Sequence, residues 1–414
     1  MANSKRRHWT IVGAAAAAVV IAAGIATAVS GGDPGQPSAF GHAPAGTSTA
    51  AKTSGTTSSP AGSPSSSPGA TSGTGLATSP VNTAQLADMK WGLDYSDTLA
   101  YDTPDQLKTA LDDAKRLGMD YIRVDFGWED YQSFSNYAPD FTKFDNVVAG
   151  ANAHGLKVLA TIDFPPPWAR RDACKDTSAC PPADNATFAK FVKQAVARYS
   201  ARGVHHWEVW NEPNITAWAP TPDPADYTKL LLPVSAAIRA ADPHAFILMG
   251  GLAADHPSPG APFISPYDFI TAVAKDGGLK AVDGIGYHPY PDGDPANSKT
   301  FQAISQSPTS IVAALAQAGS PNMPIWITET GANIPALIWG PASQVKPQEA
   351  QQVETAKKEV DALASYPNVA SFFWFSYQDS PPDHLVFGLR RGDGTYRPSF
   401  DALQQIIANA KKGR

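Results

Sequence analysis

The chain of 414 residues is 43% hydrophobic and 17% charged, with a formal net charge of −6, which is ample apolar material for a large buried core. Residues 1–82 hold Lys5, Arg6, Arg7 and Lys52 against Asp33, a net +3, so the remainder carries −9. An acidic folded part lacks the basic face that displaces counterions from a phosphate backbone, which excludes nucleic acid as a partner and suits a neutral or cationic one.

Lys5-Arg6-Arg7 precedes an alanine-rich apolar run from Trp9 to Val29, with Ala26-Thr27-Ala28 as a small-residue cleavage site. Residues 1–30 therefore read as a signal peptide or a retained N-terminal membrane anchor, and with no cysteine near the run a lipoprotein is excluded. Residues 31–82 are almost wholly Ser, Thr, Pro, Gly and Ala, a disordered linker that cannot bury enough apolar surface to fold. The protein is thus expected to be secreted or held at the extracellular surface of a bacterium, tethered to membrane or wall. Residues 83–414 form one folded domain, expected to be a monomer.

Met89 to Tyr95 opens that domain as a strand, followed by a helix from Pro104 to Leu117 with Thr103 as N-cap, proline at the first helical position and Gly118 as the stop. A second strand, Tyr121 to Trp128, sets Arg123 inside a β-branched run; a helix from Phe141 to Ala153 and a third strand from Leu156 to Asp163 follow. Cys174 and Cys180 lie in the next loop. In an exported chain they read as a local disulfide, since two cysteines without a paired Cys or His nearby make a poor zinc site.

The unit then recurs: helix from Asn185 to Tyr199, strand from Val204 to Trp210; helix from Pro224 to Ala241, strand from Ala245 to Gly250; helix from Pro266 to Lys275, strand from Val282 to His288. A helix from Pro308 to Ala318 precedes the strand Pro324 to Gly331, one from Pro347 to Ala364 precedes the strand Val369 to Phe375, and a last helix starts at Ser399. Strand after helix at this spacing means parallel pairing with right-handed crossovers, and eight such units match one closed (β/α)8 barrel, or TIM barrel. An open doubly wound sheet would want a Gly-rich turn after its first strand, and Gly92-Leu93-Asp94 is not one.

Two strands end in a carboxylic acid: Trp207-Glu208-Val209-Trp210-Asn211-Glu212-Pro213 and Ile325-Trp326-Ile327-Thr328-Glu329. The carboxyl ends of barrel strands are where loops converge and chemistry is done. Strands four and seven face each other obliquely across the mouth, so both acids can reach one ligand. One carboxyl to protonate a leaving oxygen and a second to attack or stabilise an anomeric carbon is what glycosidic bond cleavage needs. His205 and His206 point to opposite faces of one strand and cannot share a metal ion; no metal and no cofactor is expected.

On these motifs the chain resembles the clan of retaining glycoside hydrolases on (β/α)8 barrels, most nearly family 39 and more loosely family 5. The resemblance covers 85–414. It implies a carbohydrate substrate, double displacement with Glu212 as acid/base and Glu329 as nucleophile, and carboxyls about 5–5.5 Å apart. Asn211 matches the residue that contacts the sugar 2-hydroxyl, and Arg123 the arginine that keeps the nucleophile ionised. In Tyr287-His288-Pro289-Tyr290, His288 corresponds to a histidine near the acid and Tyr290 to a tyrosine near the nucleophile. Trp374 matches an aromatic floor under the sugar, and Trp128 and Trp168 follow strand ends where they could contact it or pack a loop. Many family 39 xylosidases also carry an accessory β-sandwich, which this resemblance lacks; a more open cleft, leaning toward internal cleavage, is the expectation. Two alternatives stay open: a transglycosylase using the same covalent intermediate, and a non-catalytic carbohydrate-binding barrel.

Overall fold

Strand–helix repetition closes into a ring. The computed structural model describes residues 82–412 except 256–259, 339, 367 and 381–384. The export segment and linker expected over residues 1–82 lie outside the described residues, apart from Asn82, whose side-chain oxygen caps a first short helix, α1, Thr83–Asp88. Eight parallel strands follow in the order β1 to β8, with β1 pairing β8 to complete the barrel. They are β1 Lys90–Asp94, β2 Tyr121–Gly127, β3 Lys157–Asp163, β4 His206–Asn211, β5 Phe246–Ala253, β6 Gly284–His288, β7 Ile325–Thr330 and β8 Val369–Trp374.

Between them run α2 Pro104–Leu117, α3 Trp128–Tyr131, α4 Thr142–Ala153, α5 Asn185–Ser200, α6 Pro224–Ala241, α7 Pro266–Lys275, α8 Lys299–Gln302, α9 Ile311–Gln317, α10 Val345–Leu363 and α11 Pro398–Lys411. The start and stop signals act as read from sequence. In α2 the Thr103 hydroxyl accepts from the Gln106 N–H and the Gln106 side chain reaches back to the Thr103 N–H, while Gly118 ends the helix at φ +83°.

Several boundaries differ from the sequence reading, by one to three residues, and three of them bear on the site. Trp128 leaves β2 to open the one-turn helix α3; β4 starts two residues later than expected and runs through Asn211; β5 runs three residues further, to Ala253. The β5 extension is paired by β6 across a register shift between Met249 and Leu252. Periodicity does not disclose such pairing, because it depends on the neighbour.

The core has two large parts, beside a small third cluster of Phe375 and Phe387. Apolar faces of the helices pack on the outside of the strands, where Leu111, Val192, Leu231, Ile270 and Leu403 are completely buried. Inside the barrel, Tyr121, Leu159, Leu248, Trp326 and Phe373 form a separate cluster that seals the N-terminal end. Above that seal the interior turns polar. A disulfide joins Cys174 and Cys180 in the loop after β3.

Candidate active site

The end of β4 is bent twice. Trp210 and Glu212 hold left-handed backbone at φ +74° and +47°, and Ser96 and Phe164 do the same at +49° and +45° just after β1 and β3. Non-glycine residues rarely sit there, at a cost of about 1–2 kcal/mol each, so the four mark the C-terminal rim as the place where packing overrides backbone preference. The bend brings Glu212 into the mouth, 3% exposed, with its N–H on the Gly251 carbonyl at 2.9 Å.

Glu329 arrives from β7 by a different device. The β7–β8 register shifts between Ile327 and Thr330, which lets Thr328 and Glu329 both make interior contacts while Thr330 turns out to Glu359 on α10. Arg123 Nη1 donates to Glu329 Oε1 at 2.6 Å and the Tyr290 hydroxyl to Oε2 at 2.7 Å. Burial alone would raise the Glu329 pKa; His288, Arg123 and the Tyr290 hydrogen bond outweigh it and hold the carboxyl below its ordinary value. The Tyr290 hydroxyl is pushed far up by burial and by the Glu329 charge, so it stays a donor.

Arg123 is 1% exposed and fully committed. Its Nε donates to Glu208 Oε2 at 2.7 Å, Nη1 also meets Asp94, and Nη2 donates to Asn211 Oδ1 at 2.9 Å. The last contact fixes the Asn211 amide, leaving its NH2 group as the donor for a ligand. Burial lifts Asp94 to about 6 against the pull of Arg123.

Glu208 ties the two acids together. Besides Arg123 it accepts from Thr161 at 3.1 Å and from Thr328 at 2.9 Å, and Thr328 Oγ1 lies 3.0 Å from His288 Nε2. Because the Thr328 proton goes to Glu208, the hydroxyl can only accept from His288, which makes Nε2 the protonated nitrogen. His288 Nδ1 then faces Glu212 Oε1 at 3.0 Å. Burial works against the imidazolium, but Glu329 and Glu212 more than offset this and raise the His288 pKa. Glu212 Oε2 has no hydrogen-bond partner among the described residues. One oxygen from each glutamate and a ring nitrogen of His288 all lie within 4.8 Å of one another.

Six of the residues singled out from sequence thus meet at one place: Glu212, Glu329, Arg123, Asn211, His288 and Tyr290. The tryptophans do not join them as an exposed floor. Trp374 is completely buried with its indole N–H on the Phe387 carbonyl, and Trp128 is 1% exposed, stacked on Phe191 and edge-on to Trp168. Trp128 is held against Phe188 and Phe191 of α5, and Trp374 lies beside Phe372 of its own strand. Trp168 is 37% exposed. Sequence reasoning passed over Asp94, Glu208 and Thr328, although a charged residue between Trp207 and Val209 carries the same signal as Arg123 in its own apolar strand.

Residues 74–380 match the model of the cellulase family, glycosyl hydrolase family 5. The chain belongs to that family. Among solved structures it is similar to a family 39 glycoside hydrolase from the gut symbiont Bacteroides cellulosilyticus WH2, at 21% identity and a TM-score of 0.60, over 78% of this chain and 64% of that one. It is also similar to a family 39 β-xylosidase from Caulobacter crescentus (24% identity, TM-score 0.56, 80% of this chain and 72% of that one). A family 5 subfamily 18 enzyme from Streptomyces cattleya, solved with GlcNAc, superposes at a TM-score of 0.59 with 18% identity, over 79% and 82% of the two chains. These likenesses speak to the barrel fold alone. No curated protein matches the chain.

Proposed function

We propose that the protein is a secreted or surface-tethered retaining β-glycosidase that hydrolyses O-glycosidic bonds of a poly- or oligosaccharide. The observation that carries this reading is the closeness of the two glutamates, whose oxygens approach within 4.8 Å. Retaining pairs stand about 5–5.5 Å apart, whereas inverting pairs leave about 6.5–9.5 Å for a water molecule.

Glu329, kept ionised by Arg123 and Tyr290, attacks the anomeric carbon while Glu212 gives its proton to the departing oxygen. A glycosyl ester on Glu329 results. Glu212 then takes a proton from water, the water attacks the same carbon, and Glu329 leaves with overall retention of configuration. His288, protonated on Nε2 toward Thr328, turns Nδ1 to Glu212 and orients it. Asn211 offers its NH2 to the 2-hydroxyl. An oxidising compartment for this reaction is supported by the Cys174–Cys180 bond.

Azide rescue separates the roles. Glu212→Ala is expected to form the covalent intermediate from a substrate whose leaving group needs no protonation, and azide should restore turnover with a β-glycosyl azide as product. Glu329→Gln should abolish turnover on every substrate. If azide rescued Glu329→Ala and gave the α-glycosyl azide, the two roles would be exchanged.

Glu212, His288 and Glu329 are also spaced as metal ligands could be. Arg123, however, already places a positive charge on Glu329, and His288 uses both ring nitrogens within the protein. The reaction as written needs no ion. EDTA is expected to leave turnover unchanged; a loss reversed by a divalent cation would overturn that.

A further inference from the structure

The loops after β1, β2 and β3 carry a band of aromatic rings that the reaction above does not use. Phe134 and Tyr137 are 61% and 62% exposed, Tyr101 is 44% and Trp168 is 37%, and among the described residues the other exposed large hydrophobic side chains are scattered elsewhere. Tyr396 is covered by the guanidinium groups of Arg116 and Arg390 at 4.5 and 5.0 Å, and Tyr101 within the band has the Lys143 ammonium over one face of its ring at 3.9 Å. Rings left in water side by side are uncommon on soluble proteins and mark a surface that meets something.

The band is held in place. Gln132 accepts the Trp128 indole N–H at 2.8 Å through Oε1 and the Trp168 indole N–H at 3.2 Å through its carbonyl, and its amide donates to the Tyr137 carbonyl at 2.8 Å. Phe134 and Tyr137 meet edge to face at 5.5 Å, and the Tyr101 hydroxyl reaches Asp130 on α3. Three loops are thereby tied into one surface. It lies at the same C-terminal end of the barrel as the candidate active site: Trp168 packs on Trp128, which directly follows the strand that bears Arg123.

The chemistry of the band fits a sugar chain. Exposed Ser133, Ser135 and Asn136 alternate with the rings, so apolar faces for pyranose C–H groups stand beside donors and acceptors for hydroxyls. Charge narrows the choice. Residues 95–103 and 128–141 contain Asp97, Asp102, Glu129, Asp130 and Asp140 and no lysine or arginine, and in 164–184 Asp172, Asp176 and Asp184 balance Arg170, Arg171 and Lys175, so the three loops together carry a net −5. Such a field repels polyanions.

We propose that this aromatic band is a binding platform for an uncharged or amino-bearing β-linked glycan, extending the sugar chain beyond the cleavage point over the β1, β2 and β3 loops. The proposal rests on the glycosidase reading, and its test is chosen to fail separately from it. Glu329→Gln protein is run in affinity electrophoresis through hydroxyethylcellulose, xylan, glucomannan, partly deacetylated chitosan and alginate, with and without the added pair Phe134→Ala/Tyr137→Ala.

At least one of the first four glycans is expected to retard the protein, and the double substitution should weaken that binding ~10-fold or more, as the loss of two stacking rings implies. Alginate should not bind. Equal retardation of both proteins, no retardation by any glycan, or a preference for alginate would each overturn the platform. Both rings are exposed, so unchanged thermal melting is the control; should the pair unfold the protein, Trp168→Ala serves in its place with the same expected loss. Binding without turnover in the wild-type protein would sink the glycosidase reading and leave the platform standing, whereas turnover with unaltered binding in the variants would do the reverse.

Discussion

Each glutamate is held by groups of opposite demand: a guanidinium and a phenol on Glu329, an imidazole on Glu212. The pH dependence follows from the first set. Glu329 is held below the usual glutamate range, so it stays ionised at ordinary pH, and activity fails on the acid side only as pH falls through that lowered value. Tyr290→Phe removes one hydrogen bond to the charged form. The Glu329 pKa should then rise, the acid limb of kcat/KM should move to higher pH, and kcat should drop ~10- to 100-fold, since a hydrogen bond to a charged group contributes ~1.5–3 kcal/mol. An acid limb that stays put in the variant would show that the phenol does not hold the nucleophile. Glu208 reaches the same site from below. Replacing it with Gln leaves the Arg123 cation short of a buried counter-charge, expected to cost ~3–5 kcal/mol, and a melting temperature matching wild type would contradict that role.

At the scale of the element, β6 and β5 reveal what the glycines are for. A Cβ on Gly286 would lie 2.3 Å from Glu208 Oε1, and one on Gly251 would lie 2.1 Å from His288 Nε2. Both strands are trimmed so that the polar hub fits. Gly286→Ala is expected to lower stability by ~1–3 kcal/mol and to reduce kcat as well, because the intruding methyl pushes on the carboxylate that positions Arg123; full activity in a folded variant would refute this.

A second test concerns β7 and α10. Burial raises the Glu359 pKa to about 8, and its Oε2 has no partner among the described residues. The folded state therefore keeps a proton that the unfolded chain releases near pH ~4.3, so stability falls as pH climbs between the two values, on the order of 1.4 kcal/mol per pH unit. Glu359→Gln should flatten that fall in melts taken from pH 5 to 8, and an identical slope in both proteins would exclude Glu359 as its source.

These elements also show what the sequence disclosed. Strand ends and helix starts were legible because apolar runs, Thr103, Pro104 and Gly118 act locally. Glu212, Glu329 and Arg123 stood out as charges in or just beyond apolar strands. The left-handed residues were not legible, since none is glycine, and neither was the β7 shift that turns Thr328 and Glu329 to the same side. The cover over Trp128 and Trp374 comes from distant segments, which periodicity cannot report.

For the molecule as a whole, the barrel does most of the holding, and the cross-link is minor. Cys174 and Cys180 are six residues apart, a short loop whose closure restrains the unfolded chain by only ~2–3 kcal/mol. Reduction should lower the melting temperature by a few degrees, and it should weaken polymer binding more than turnover of a small aryl glycoside because the bonded loop also carries Trp168. Complete unfolding on reduction would contradict this.

The chain joins the barrel at its sealed end. In α1 the Gln85 amide donates to the carbonyl of Val369, where β8 begins, and Leu86 packs against the core, while Glu212 and Glu329 stand at the opposite ends of their strands. A bead, plate or fused carrier attached through residue 82 would therefore grip the plugged end. Immobilised that way, the catalyst would open toward the bulk liquid and a long chain could diffuse in without meeting its support, whereas coupling through residues 128–141 would block the approach.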